Sequence, residues 1–259
     1  MPPESPNQNE LILDQFTKQA DTFAARMLAE PFNQLSIDLL LQRISLSGKE
    51  KLLDVGCGPG LLALGLSTRV KKVTGLDLVP AMLEKALAFQ LEKSIANAEW
   101  ILGDLNHLPF KDRQFHGVVS RFALHHSSDP VRILGEMKRV AKKKGWIALI
   151  DIAPAEDKAE AFNVFEKLRD PSHVRALTVP ELKNLAREVG LKNISFDFCG
   201  LERDLEKQLA GSFPLPGDAE KIRRIFEEDL GSDKLGVRSR RENGLIRYTY
   251  PVVLMAGYL

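Results

Sequence analysis

The stretch KLLDVGCGPGLLALGL, residues 51–66, constrains the fold of this chain more than any other. A short apolar run carrying an acid, Asp54, gives way to three glycines within five residues, and an apolar helical pattern follows at once. Strand, glycine turn and helix in that order open a βαβ unit, the element of parallel sheets. Glycines let the backbone turn sharply and let a ligand approach the main chain. The helix behind them presents unpaired N–H groups and partial positive charge. In open α/β sheets ligands bind at the carboxyl ends of the strands, so this loop marks one side of a candidate site.

The same alternation repeats downstream. KVTGLDL, AEWILGD, FHGVVSRFAL and GWIALIDIA read as further strands. AMLEKALAFQLEK, opened near Pro80, and DPVRILGEMKRVAKK read as helices, the latter with Asp129 as N-cap and Pro130 in its first turn. Lys142, Lys143 and Lys144 are expected at that helix's solvated end, where cations suit the dipole. The pattern predicts an α/β, Rossmann-like fold with a parallel sheet and helices on both faces. Ahead of the first strand, Glu10 to about Arg43 is helical, with Leu13, Phe16, Ala20, Phe23 and Met27 on one stripe and a break at Pro31. After Pro154 the rhythm changes. A helix is expected up to Asp170, and another from Thr178, its N-cap, to Gly190. KNISFDFC reads as a strand, 201–246 as charged and mostly helical, and IRYTYPVVLMAGYL as a final strand whose Pro251 favours an edge or bulged position.

The loop's ligand follows from what surrounds it. No Lys-Ser/Thr follows the glycines, so it is not a P-loop, and Leu61 stands where a dinucleotide fingerprint needs its third glycine. Asp54 would repel a pyrophosphate and suits an amino-bearing ligand. Asp77, about twenty residues on, ends the second strand, where an acid accepts from ribose hydroxyls. Asp104 ends the third and is placed to receive an adenine amino group, directly or through its backbone neighbour. Three strand-end acids around a glycine loop describe a nucleoside with a positively charged amino-acid tail: S-adenosylmethionine (SAM).

LLDVGCGPG, GLDL, GDLNHLPF and EMKRVAKKKGWIALID together resemble the successive motifs of class I SAM-dependent methyltransferases over about residues 50–153. LPFKDRQFHGVVSRFALHHSSDP and FEKLRDPSHVRALTVPEL resemble the type 11 branch, related to ubiquinone and menaquinone biosynthesis enzymes. The resemblance implies a seven-stranded sheet whose C-terminal strand is antiparallel, beside the fifth. It implies one compact unit: a helical cap over 1–46, a SAM-binding core over 47–200, a helical lid over 201–246 and a last core strand over 247–259. It assigns cofactor contacts to Asp54, Gly56, Cys57, Gly58, Gly60, Asp77, Leu78, Asp104, Leu105, Arg121 and Phe23. Phe23 stands where relatives often carry tyrosine.

Methyl transfer from a sulfonium is an in-line displacement, so the enzyme chiefly positions the nucleophile and can remove its proton. His125 and His126 follow the fourth strand at the rim, and one of them is a candidate general base. Adjacent histidines without a spaced Cys or Glu partner do not suggest zinc, and no metal is expected. RDPSHVR brings Arg169, His173 and Arg175, together with Asp170, into one short loop, either to clamp an acidic or phenolic acceptor or to order the lid through an internal Arg–Asp pair. The basic GVRSRRENG reads as a solvated loop.

A formal net charge of +1 over 259 residues, with no basic aromatic surface, excludes nucleic acid as an expected partner. No apolar run is long enough to span a bilayer, and MPPESPNQNE has no secretory pattern. Two distant cysteines suit a reducing compartment, so a cytoplasmic monomer or homodimer acting on a small molecule is expected. The competing readings are a SAM-binding fold repurposed for cyclisation or isomerisation, a non-catalytic binding protein, and a dehydrogenase disfavoured by Leu61.

Overall fold

The computed structural model describes residues 7–28 and 30–259, apart from the side chains of Arg26 and Met27. The start of the chain and the Met27 end of the expected helical stripe lie outside the described residues.

Two helices, α1 (Gln8–Leu28) and α2 (Phe32–Arg43), precede the sheet. β1 (Lys51–Val55), α3 (Leu61–Ser67), β2 (Lys72–Asp77), α4 (Pro80–Glu92), β3 (Ala98–Leu102) and β4 (Phe115–Arg121) follow. Then come a 3₁₀ turn over Leu124–His126, α5 (Pro130–Val140), β5 (Ala141–Ile152), α6 (Ala159–Arg169), α7 (Val179–Glu188) and β6 (Lys192–Asp204). The chain closes with α8 (Leu205–Ala210), α9 (Asp218–Asp229), β7 (Arg240–Glu242) and β8 (Leu245–Tyr258). The sheet order is β3-β2-β1-β4-β5-β8-β6, with β7 paired to β8. Strands β1 to β5 run parallel, and β8 enters antiparallel between β5 and β6. Seven strands take the expected layout, and β7 adds a short eighth.

One apolar layer packs α2, α3, α6 and α9 on one face of the sheet, through Leu40, Leu66, Phe165 and Phe226 among others. The other face is covered by α5 and α7, through Leu134, Met137 and Leu185. Ala20 of α1 packs on Val79 and Met82, across the mouth of the sheet. In α9, Ile222 and Phe226 point inward, with Ile225 packed against the same layer. The helix signals hold where side chains cap. Asp129 accepts from the Arg132 amide. Thr178 exchanges bonds with Glu181 in a capping box, and Gly190 closes α7 at φ 78°.

Two boundaries and the placement of Pro251 differ from the sequence reading. α5 stops at Val140, and Lys142–Lys144 open β5. There Lys142 Nζ meets His116 Nε2 at 2.8 Å, so the basic run starts a strand where a helix end was expected. β6 continues to Asp204 because it zips along β8, from Leu201 opposite Tyr250 to Asp204 opposite Arg247. A partner strand from elsewhere in the chain overrides the helical composition of that stretch. Pro251 lies on a central strand, not an edge. β5 ends its pairing at Val252, and beyond it Ala153 donates to the Pro251 carbonyl at 2.8 Å. The proline's missing N–H therefore falls opposite Ala153, one residue past the last β5 pair, so it removes only a terminal rung of that ladder.

The basic loop is answered by acids: Arg240 pairs with Glu202 and Glu242, and Arg241 with Glu227. Among the described residues no helix is long and apolar enough to cross a membrane.

Candidate active site

The glycine loop sits at the carboxyl end of β1. Gly56 and Gly60 adopt φ of 71° and 74°, a region that favours glycine. A Cβ on Gly56 would lie 2.6 Å from that of Ala123, and one on Gly60 would collide with Trp100. Asp77 braces the loop from β2: its Oδ2 accepts from the Gly58 amide at 2.7 Å and its Oδ1 from Val79 at 2.9 Å. Asp104, after β3, accepts from the Asn106 amide at 2.8 Å and from Asn9 of α1 at 3.0 Å.

Asp54 differs from both. It is buried, and neither carboxylate oxygen has a hydrogen-bonding partner. Burial raises its pKa to about 7, with Arg121 opposing and Asp77 adding to the rise. Arg121, at the end of β4, donates to Asn33 and Ser36 of α2. Burial lowers its pKa to about 10 against the attraction of Asp54. Cys57 is buried in the loop, and burial with Asp77 and Asp54 nearby pushes its thiol up, so it is no thiolate nucleophile.

These groups open onto one cleft of about 1030 Å³. Asp54, Gly56, Cys57, Gly58, Asp77, Leu78, Asp104, Leu105, Arg121 and Phe23 all line it. Gly60 does not, and serves as the left-handed cap of α3. The residues fit SAM. The buried Asp54 carboxylate, without a hydrogen-bonding partner, suits a cationic group, and a Cβ on Gly58 would meet nothing nearer than Phe23 at 4.0 Å, so the loop backbone there is open to the cleft.

A second chamber, of about 570 Å³, adjoins the first through shared walls: Phe16, Phe23, Phe122 and His126. His125 and His126 follow Arg121 in a 3₁₀ turn and are both buried. His125 Nδ1 lies 2.6 Å from Asp151 Oδ1 at the end of β5. Burial works against its charge, but Asp151 more than compensates, and the His125 pKa is raised. His126 Nδ1 lies 3.1 Å from both oxygens of Ser172, whose hydroxyl donates to Asp170 at 2.6 Å. Both Ser172 oxygens therefore accept, the His126 proton sits on Nδ1, and Nε2 carries the lone pair. Burial and the neighbouring His125 lower the His126 pKa to about 4.

The three residues expected from RDPSHVR separate. Arg169 lines the second chamber, but Glu166 holds its guanidinium at 2.7 to 3.1 Å. His173 lies behind the chamber wall, 1% exposed, with Nε2 on Asn163 at 2.8 Å. Burial and the neighbouring histidines lower its pKa to about 2. Arg175 faces outward and pairs with Glu181. Of that trio only Arg169 reaches the chamber, and the lone anion of the loop, Asp170, joins it.

Sequence reading passed over Asp151, Glu166, Tyr250 and Asn9. Asp151 had a usable signal: it is an acid ending an apolar strand, the rule that singled out Asp54 and Asp77. Glu166 and Tyr250, bonded at 2.5 Å, had none, because they are distant in sequence and each fits an ordinary surface pattern.

A Rossmann-like sheet with one antiparallel strand, a glycine loop and strand-end acids at its mouth defines the class I methyltransferase architecture. Comparison with known proteins agrees. Residues 53–149 match the type 11 methyltransferase domain family. The uncharacterized methyltransferase YcgJ of Bacillus subtilis is 33% identical over 168 residues, 64% of this chain and 66% of the relative. Demethylmenaquinone methyltransferase of Thermotoga maritima is 37% identical over 111 residues, 42% and 46% of the two chains. The matched stretch thus spans less than two thirds of either relative. The crystal structure of Bacillus YcgJ superposes with TM-score 0.80 at 27% identity, covering 87% of this chain and 98% of that one. The [4+2]-cyclase SpnF shares the fold, with TM-score 0.67 at 17% identity over 99% and 97% of the chains. Residues 53–149 thus carry a type 11 methyltransferase domain, set in the class I SAM-dependent methyltransferase fold.

Proposed function

We propose that this protein transfers the methyl group of SAM to a small-molecule acceptor seated in the second chamber, releasing S-adenosylhomocysteine. One observation carries the reading: the cofactor cleft and a second, partly polar chamber meet at His126 and three phenylalanines, with His125 held by Asp151 on the acceptor side. The bound cofactor supplies an electrophilic methyl group on a sulfonium with a neutral leaving group. The protein's own work is orientation and proton management. Asp54, Asp77 and Asp104 hold the cofactor, and Phe16, Phe23 and Phe122 form the passage between the chambers.

His125 is the general base. With Nδ1–H donated to Asp151, its Nε2 receives the proton of an O–H or N–H nucleophile, and the Asp151 carboxylate stabilises the resulting imidazolium. His126 stays neutral in the wall beside it. Two adjacent histidines pushed in opposite directions divide these roles. The segment from α8 to β7 acts as the chamber's lid, to which Gln208 of α8 contributes a lining side chain. Two free cysteines fit a reducing, cytoplasmic setting.

The test is incubation with methyl-labelled SAM and a panel of phenolic, quinol-like and amine acceptors. Label in an organic product together with S-adenosylhomocysteine supports transfer. A transformed product without label, SAM remaining intact, would replace this reading with a cyclase-like one.

A further inference from the structure

The second chamber carries a charge that the base and the cofactor leave unused. Around it, most charges answer one another. Arg169 is bridged by Glu166, Arg203 meets Glu30 at 2.6 Å, and His125 meets Asp151. Asp170 lines the chamber and is the exception. Its Oδ1 accepts from the Ser172 amide at 2.9 Å and hydroxyl at 2.6 Å. Its Oδ2 accepts no hydrogen bond from the described residues. Arg169 Nη2 stands 3.8 Å from that oxygen and is already committed to Glu166 at 2.7 Å. The carboxylate is only 2% exposed, so solvent does little to screen it. Glu30, Asp151, Glu166 and Asp170 thus face Arg169, Arg203 and His125, leaving an excess of negative charge even with His125 protonated.

Resting on the reading that this chamber holds the methyl acceptor, we propose that Asp170 recognises the acceptor through a cationic handle, and that the acceptor is a small amine-bearing molecule. This departs from one of the two readings of RDPSHVR, a clamp for an acidic or phenolic acceptor. The arginine that suggested an acidic acceptor is consumed by Glu166, a residue five positions before the proline of that loop. The anion beside it keeps an open oxygen. Phe16, Phe23 and Phe122 suit the handle's hydrocarbon portion, and aromatic faces also favour cations. The atom that takes the methyl group is the one that reaches the cofactor side, past His126. An acid in this chamber would meet Asp170 with no free cation to offset it.

The experiment uses wild-type protein saturated with S-adenosylhomocysteine and calorimetric titration with benzylamine, benzyl alcohol and benzoate, which share a ring and differ in charge. Benzylamine is expected to bind roughly ten- to a hundredfold more tightly than benzoate, the range of a charge-assisted bond to a buried carboxylate. Asp170→Asn should erase that preference while S-adenosylhomocysteine still binds. Benzoate binding as well as benzylamine, none of the three binding, or an amine preference that persists in Asp170→Asn overturns the proposal. Should Asp170→Asn not fold, the wild-type ranking decides alone. Failure of wild-type protein to bind S-adenosylhomocysteine would instead bring down the methyltransferase reading beneath it, so the two failures are told apart.

Discussion

The two halves of the site are built differently. The cofactor cleft is assembled from strand ends: Asp54 on β1, Asp77 on β2, Asp104 after β3 and Arg121 on β4. Each holds its place because its strand lies in a parallel sheet. The second chamber, which we propose for the acceptor, draws Phe16 from α1, Arg169 from α6, Leu201 and Arg203 from β6, Gln208 from α8 and Tyr250 from β8. Its polar groups mostly bind one another: Tyr248 to Tyr250 at 3.2 Å, Tyr250 to Glu166, Glu166 to Arg169. A cleft presenting an orphaned carboxylate is ready for a fixed cofactor. A chamber whose charges cancel pairwise discriminates through the few groups left over.

That contrast can be broken or sharpened by substitution. The largest effect is expected at His125. His125→Ala should lower single-turnover methyl transfer by roughly 10²- to 10⁴-fold, the usual contribution of a positioned base, with cofactor affinity unchanged. A parallel loss of cofactor affinity would show that the two halves are not separable. On the other side, Asp54→Asn should weaken cofactor binding by roughly ten- to a hundredfold, measured by calorimetry. Because Asp54 is held near pH 7, wild-type cofactor affinity should climb as pH rises to about 7 and then level, while Asp54→Asn stays flat. The sign for stability is opposite. The cofactor-free protein keeps Asp54 protonated where the unfolded chain has ionised it. Its stability should therefore fall as pH rises from the ordinary carboxylate range to about 7.

A smaller effect is expected from Asp151→Asn. Wild-type turnover should rise with pH through a midpoint above that of an ordinary histidine, since His125 must lose its proton to act and Asp151 retains it. Asp151→Asn should move that midpoint to lower pH, seen in the kcat/KM profile. An unmoved midpoint would take His125 out of the proton transfer. The His125–Asp151 pair stabilises the fold fully below the unfolded histidine's pKa, and that contribution is lost as pH rises through the folded value. Smallest of all, Thr178→Ala should cost about 1 kcal/mol of stability in a denaturant melt by removing the α7 cap, with both halves of the site untouched.

How much of this was legible varied with the kind of contact. Asp54, Asp77 and Asp104 could be read because a strand end at a parallel sheet's mouth is a fixed position relative to the glycine loop. Asp151 obeyed the same rule and was readable in principle. Arg175 misled because a loop rich in charge does not say which side chain turns inward; its arginine found Glu181 on the next helix. The helical composition after Cys199 misled because β8 supplied hydrogen bonds that extended β6 to Asp204.

By itself the sequence determined the parallel sheet, the glycine turn and the strand-end acids that line the cleft, since these depend on periodicity, backbone freedom and one position per strand. Only the tertiary structure decided which histidine meets a carboxylate, that Arg169 is spent on Glu166, and that Asp170 keeps an open oxygen. Those outcomes turn on distances of a few ångströms between residues tens of positions apart, where charge and burial act through space and leave no periodic trace in the chain.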